Sequence, residues 1–123
     1  MASFKSFEEI IAWQKARILT KEIYLTTNKG KFEKDYGLKD QFRRASVSVM
    51  ANIAEGFERR GDKEFVRFLN ISKGSLAEVK SHAYVALDVE YIDEKIFNDF
   101  VLKIDEIAML LSGLIKYLKT ENN

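Results

Sequence analysis

The sequence predicts an all-α protein, an antiparallel up-down-up-down four-helix bundle, and three observations carry that prediction. Proline is absent from the 123 residues and glycine occurs only six times, so long helices meet no ring clash and lose few hydrogen bonds. Apolar residues recur at steps of three and four through four separate stretches, the spacing of a helix that buries one face. The breaks between most of these stretches are short, which favours antiparallel neighbours.

The first helix is expected over about 6–27, with Ile10, Ile11, Trp13, Ile18, Ile23 and Tyr24 as its apolar residues. Asn28-Lys29-Gly30-Lys31 then reads as a loop that extends to Gly37 and carries two aromatics, Phe32 and Tyr36. The second helix is expected over about 38–60. Leu38, Phe42, Ala45, Val49, Ile53 and Phe57 form its stripe, and the glycine of Arg60-Gly61 is suited to end it.

The third helix is expected over about 62–88, with Phe65, Phe68, Leu69, Ser72, Leu76, Val79, Ala83 and Ala86 on one side. The fourth, about 93–119, has the clearest stripe: Ile96, Phe100, Ile104, Ile107, Leu111, Leu114 and Leu118, flanked by Phe97, Val101, Ala108 and Ile115. Asp93 and Glu94 suit its start, where unpaired amide groups and the positive dipole end favour acidic residues. Helices of this length reach roughly 30–40 Å at 1.5 Å per residue. No repeat or interdomain linker divides the chain, and its length suits one domain.

Hydrophobic residues make up 46% and charged residues 32%, the balance of a soluble globular protein rather than a disordered or membrane-embedded one. Cysteine is absent, which excludes disulfides and thiolate metal sites and suits a reducing cytoplasm. Met1-Ala2-Ser3-Phe4-Lys5 leads into Glu8 and Glu9 without an apolar run of signal-peptide length. A cytoplasmic chain without a membrane segment is the expectation.

Catalytic patterns are missing. The sole histidine, His82, has Glu78 four residues before it and Ala86 four after, and one carboxylate with one imidazole makes neither a metal site nor a nucleophile's base. Gly56, Gly61 and Gly74 form no phosphate loop. A diiron bundle needs a Glu-x-x-His pair on each of two helices, which a chain with one histidine cannot supply. No catalytic residue, metal ligand or cofactor is therefore expected.

A polar line stands out on the second helix. Gln41, Arg44, Ser48, Asn52, Glu55 and Arg59 follow at steps of three or four and share one face beside the apolar stripe. The third helix offers Arg67, Asn70, Ser75 and Glu78 at similar spacing. Two readings stay open: a hydrogen-bonded seam between helices or between subunits, formed by Gln41, Arg44, Ser48, Asn52, Glu55 and Glu78, or a ligand groove. The small residues Ala45, Ala51, Ala54, Gly56 and Gly74 suit close helix approach.

The total charge of +1 hides a segregation. Residues 1–37 hold seven basic and five acidic side chains, residues 38–73 eight and five, and residues 74–123 five and nine. The basic excess gathers around Arg43, Arg44, Arg59, Arg60, Lys63, Arg67 and Lys73, with Phe57 and Phe65 interleaved. Such a surface can neutralise phosphates, and in an oligomer several weak contacts act together. The competing reading pairs these cations with Glu55, Glu58 and Glu64.

Several blocks carry a family resemblance: Trp13-Gln14-Lys15-Ala16, Ile23-Tyr24, Tyr36-Gly37-Leu38, Gln41-Phe42-Arg43-Arg44-Ala45, Asn52-Ile53-Ala54-Glu55-Gly56-Phe57, Arg67-Phe68-Leu69 and Gly74-Ser75-Leu76-Ala77-Glu78. Over about Phe7 to Leu118 the chain resembles the bacterial 23S rRNA intervening sequence proteins. Relatives of that family include the accessory variability determinant of diversity-generating retroelements, which assists a reverse transcriptase. The resemblance implies an antiparallel four-helix protomer and a homopentamer. For the retroelement relatives it also implies a basic surface that binds nucleic acid and a polymerase. Met50 stands where the family usually has a proline, so the second helix is expected to be less kinked here.

From these residues and this resemblance, the expected function is a non-enzymatic oligomer that binds structured RNA or DNA weakly through Arg43, Arg44, Arg59, Arg60, Lys63 and Arg67. The alternative is an adaptor for a protein partner such as a polymerase.

Overall fold

The computed structural model describes residues 4–121. Met1, Ala2 and Ser3, on which the expectation of a cytoplasmic chain partly rests, lie outside the described residues. The chain forms a 3-10 turn, Phe7–Glu9, and five helices: α1 (Ile11–Thr27), α2 (Gly30–Lys34), α3 (Tyr36–Glu58), α4 (Asp62–Asp88) and α5 (Glu94–Glu121). No strand occurs among the described residues.

The four long helices stand in a ring, α1 beside α3, α3 beside α4, α4 beside α5, and α5 back against α1. Side-chain contacts fix each pair as antiparallel, the Tyr84 and Phe97 rings, 4.7 Å apart, adding a second point between α4 and α5 to the polar ones. The Thr20 hydroxyl donates to the Ser46 carbonyl and Arg43 Nε donates to Thr27 Oγ1, so α1 descends as α3 rises. Ser48 meets Ser75 at 2.8 Å and Ser72 donates to the Val49 carbonyl, which aligns α3 with α4. Lys80 bridges to Asp105 between α4 and α5, and Lys15–Glu106 with Lys103–Glu22 closes α1 on α5.

The stripes predicted for α3 and α4 are buried along their length, apart from the half-buried Leu38. Phe42 is fully buried, 5.9 Å from the rings of both Phe32 and Phe100. Two approaches bring α3 and α4 together. Gly56 packs so closely that an added Cβ would lie 2.6 Å from Phe68 Cβ. The buried serines Ser72 and Ser75 turn their hydroxyls across to the Val49 carbonyl and to Ser48, and the buried Ser46 donates to the Arg43 carbonyl of its own helix, so none is left demanding water. Gly74 faces open space and Ala51 is exposed, so these two do not mediate the approach expected of them.

The first helix differs most from expectation. Its core face is Ala12, Ala16, Leu19, Ile23 and Thr27, whereas Ile11, Ile18 and Tyr24 are exposed. Two stripes satisfy helical spacing here, and the one that carries Ala12, Ala16, Leu19 and Ile23 faces the core. Residues 6–10 do not join the helix. Ile10 takes extended backbone at ψ 118° and buries its side chain; in a continued helix it would sit roughly 200° around the axis from Ala12, facing away from the core. Phe7 packs edge-on to Trp13 at 5.1 Å, and the Gln14 amide donates to the Glu8 carbonyl.

The loop expected over 28–37 contains the short helix α2, which coils to place Phe32 between Phe42 and Tyr91. Helix α3 begins at Tyr36, earlier than expected, because Asp35 caps it by accepting from the Leu38 amide. It ends at Glu58, and the left-handed residue beyond it is Arg60 at φ 59°, while Gly61 is extended. Asp93 caps α5 through the Ile96 amide, so that helix starts at Glu94. Ile96 is largely exposed and Phe97 takes its inward place. Helix α3 is continuous through Met50. No helix among the described residues is long and apolar enough to cross a membrane.

Candidate nucleic-acid interface

The six cations singled out in the sequence fall into two groups. Arg43 and Arg44 lie near the start of α3, and Arg59 and Arg60 lie at its end, about 24 Å away along the axis. Lys63 and Arg67, in the first turns of α4, join the latter group.

Carboxylates crowd the end group. Arg59 pairs with Glu55 at 2.7 Å, and Arg67 forms two bonds with Glu64 at 3.0 and 3.2 Å. Both guanidinium groups also lie over the Phe68 ring, at 5.1 and 4.6 Å, so the arginines close the bundle end over a buried aromatic. The hydrogen bond from Arg67 holds the Glu64 carboxyl below its ordinary range, and the same bond raises Arg67. Arg60 and Lys63 take part in no ion pair among the described residues.

Arg43 and Arg44 face a different setting. Arg43 is anchored: Nε donates to Thr27 Oγ1 at 2.8 Å, Nη2 donates to the Tyr24 carbonyl at 3.3 Å, and the guanidinium lies 4.4 Å from the Tyr24 ring centre. These partners are neutral, so its charge stays uncompensated. Arg44 is exposed and unpaired among the described residues. It forms the crest between two depressions, one of about 540 Å³ lined by Tyr24, Asp40, Arg43, Val47 and Ser48, and one of about 260 Å³ reaching Gln41, Ser75, Glu78 and His82.

The predicted polar seam runs through the second depression. Asn52 Nδ2 donates to the Ser48 carbonyl and to Ser48 Oγ, which in turn meets Ser75. These contacts form a seam between α3 and α4 within one chain. Gln41, Arg44, Glu55 and Glu78 lie at its rim, exposed. His82 is half-buried, edge-on to Phe42 at 6.3 Å. Among the described residues no cluster of three or more His, Asp or Glu side chains could hold a metal.

Cations missed in the sequence lie on α1, the helix to which Arg43 is anchored. Arg17 is 5.8 Å from the Trp13 ring centre, and Trp13, Gln14, Arg17, Ile18 and Lys21 line a further depression of about 340 Å³. Neither Arg17 nor Lys21 is in an ion pair among the described residues. Counting charge by sequence segment concealed them, because α1 carries Lys15 and Glu22 on its other flank, engaged with α5.

The comparisons accord with the fold. The chain is similar to a crystal structure of a protein of unknown function from the S23 ribosomal protein family of Bacteroides thetaiotaomicron VPI-5482, with 23% identity and a TM-score of 0.79 over 86% of this chain and 96% of that one. No curated protein matches the chain. The family model described as 23S rRNA-intervening sequence protein matches residues 8–113, which takes in α1 to α4 and most of α5, and the chain therefore belongs to the 23S rRNA-intervening sequence protein family.

Proposed function

We propose that this protein is a non-enzymatic, oligomeric helical bundle of the cytoplasm that binds structured RNA or DNA weakly through its basic surface, without a cofactor. The observation that carries the proposal is that four of the six cations singled out in the sequence are in no ion pair among the described residues: Arg43 and Arg44 in one group, Arg60 and Lys63 in the other. Uncompensated surface cations displace counterions from a phosphate backbone, and that release supplies most sequence-independent affinity. Arg59 and Arg67, each shared with a carboxylate, contribute less to such binding. A near-neutral chain gains from assembly, since repeated patches raise the effective concentration of each contact; the pentamer is what the family resemblance suggests.

The test is anisotropy of a labelled hairpin RNA across a salt series. Reversing Arg44 and Lys63 to Glu is expected to weaken binding and to lower the slope of log affinity against log salt by roughly 0.7–0.9 for each phosphate that the protein no longer neutralises. Retention of the full slope would count against the surface.

A second reading, a protein adaptor, has its own observation. Ile11, Ile18 and Leu25 recur every seventh residue along the outside of α1, and Leu102 and Met109 do so on α5, with 73% and 76% of their surface exposed. An apolar ridge of this kind suits self-association or docking of a protein partner such as a polymerase. An oligomer indifferent to RNA and DNA at low salt, seen by light scattering, would favour the adaptor.

A further inference from the structure

We infer that the outer groove where α1 meets α3, together with the outer face of α1 that continues from it, binds unpaired, single-stranded nucleic acid, with Lys21 and Arg44 meeting phosphates and the Trp13–Arg17 and Tyr24–Arg43 pairs stacking bases, an inference that rests on the nucleic-acid reading above. The charge of the groove is the first support. Arg43 and Arg44 line the depression where α1 meets α3, Arg17 and Lys21 line the one on the outer face of α1, Asp40 is the sole carboxylate lining either, and none of the four cations is in an ion pair among the described residues.

The arrangement of the aromatics is the second. Each ring lies beside a guanidinium, Arg17 with Trp13 at 5.8 Å and Arg43 with Tyr24 at 4.4 Å. Trp13 and Tyr24 are 11 positions apart on α1, about 16 Å along the axis, and a depression adjoins each pair. Aromatic rings and guanidinium planes are the surfaces on which unstacked bases settle, whereas a duplex keeps its base faces inside. Arg43 is already held by Thr27 and the Tyr24 carbonyl, so little side-chain freedom remains to be lost on binding. The end group offers no such platform: Phe68 is buried there, and Arg59 and Arg67 are engaged with Glu55 and Glu64. In a structured RNA the part contacted is then a loop or an unpaired end.

Trp13 is the sole tryptophan, so its emission reports on the groove directly. The full chain is titrated at low salt with a short mixed-sequence single-stranded oligonucleotide and, separately, with the duplex of that strand and its complement. The expected result is a change in Trp13 emission with the single strand and affinity for the duplex weaker by roughly tenfold, the worth of about one stacked base. Tyr24→Leu should lose a similar factor for the single strand while Tyr24→Phe retains binding. Joint Lys21→Glu and Arg44→Glu should abolish the single-strand signal, whereas joint Arg60→Glu and Lys63→Glu should weaken single strand and duplex alike and leave the preference for the single strand in place. Matching melting curves show that each variant folds. Duplex binding as tight as single-strand binding overturns the inference, as does loss of the single-strand preference only in the Arg60 and Lys63 variant. Failure of both nucleic acids to bind overturns the nucleic-acid reading itself.

Discussion

Gly56 and Gly74 are the same residue type inside neighbouring helices, and their surroundings give them opposite roles. At Gly56 a methyl group would collide with Phe68 Cβ and press Phe65 Cδ1 at 3.1 Å, whereas at Gly74 it would meet nothing within 4 Å. Gly56→Ala is expected to destabilise the protein by about 1–3 kcal/mol through overpacking. Gly74→Ala should stabilise it by about 1 kcal/mol through helix propensity. Urea unfolding of the two variants checks both, and equal effects would refute the close approach. The sequence showed both glycines as small residues and could not rank them, because the difference lies in what faces them from the other helix. The same holds for Arg43 and Arg59, alike in composition but one stacked on Tyr24 with neutral partners and the other bound to Glu55.

At the scale of elements, Asp35 ties the start of α3 to the α4–α5 connection. One carboxylate oxygen accepts from the Leu38 amide and the other from the Tyr91 hydroxyl, at 3.1 and 3.0 Å. That second bond, with the cost of burial and the nearby negative charge, raises the Tyr91 phenol above its ordinary 10.0. A group raised on folding contributes stability that is complete below its unfolded value and lost as pH rises through the folded one. Melting temperature should therefore fall above pH 10.0 more steeply in the wild type than in Tyr91→Phe, and parallel curves would dismiss the link. Lys103 obeys the same sign: burial opposes its charge, but hydrogen bonds to Asp99 and Glu22 outweigh that and raise it. The stripes of α3 and α4 were legible because each has a single apolar face. In α1 two faces fit the period, and α2 stayed hidden because one buried Phe32 in a polar stretch has no periodicity to show.

For the whole molecule, the antiparallel ring was legible from four stripes and short breaks, but the sides of the ring that face one another are set by packing. The packing of α1 against α3 sets Arg43 on Tyr24 and Thr27, residues distant from it in sequence, and no count along the chain brings them together. The outward ridge of Leu102 and Met109 beside Ile11, Ile18 and Leu25 bears on assembly. Joint Leu102→Glu and Met109→Glu is expected to lower the mass seen by light scattering while leaving helicity unchanged; an unaltered oligomer would move the contact elsewhere. The order of the ring also bears on how the chain reaches this structure. Three of its four long-helix interfaces join successive long helices, and only α1 against α5 is distant in sequence. Such low contact order belongs to helical bundles that fold within microseconds to milliseconds. The α3–α4 hairpin, with its brief connection, is expected to form first and the α1–α5 side, held by Lys15–Glu106 and Lys103–Glu22, last, so that core substitutions in the hairpin slow folding while those on the α1–α5 side speed unfolding.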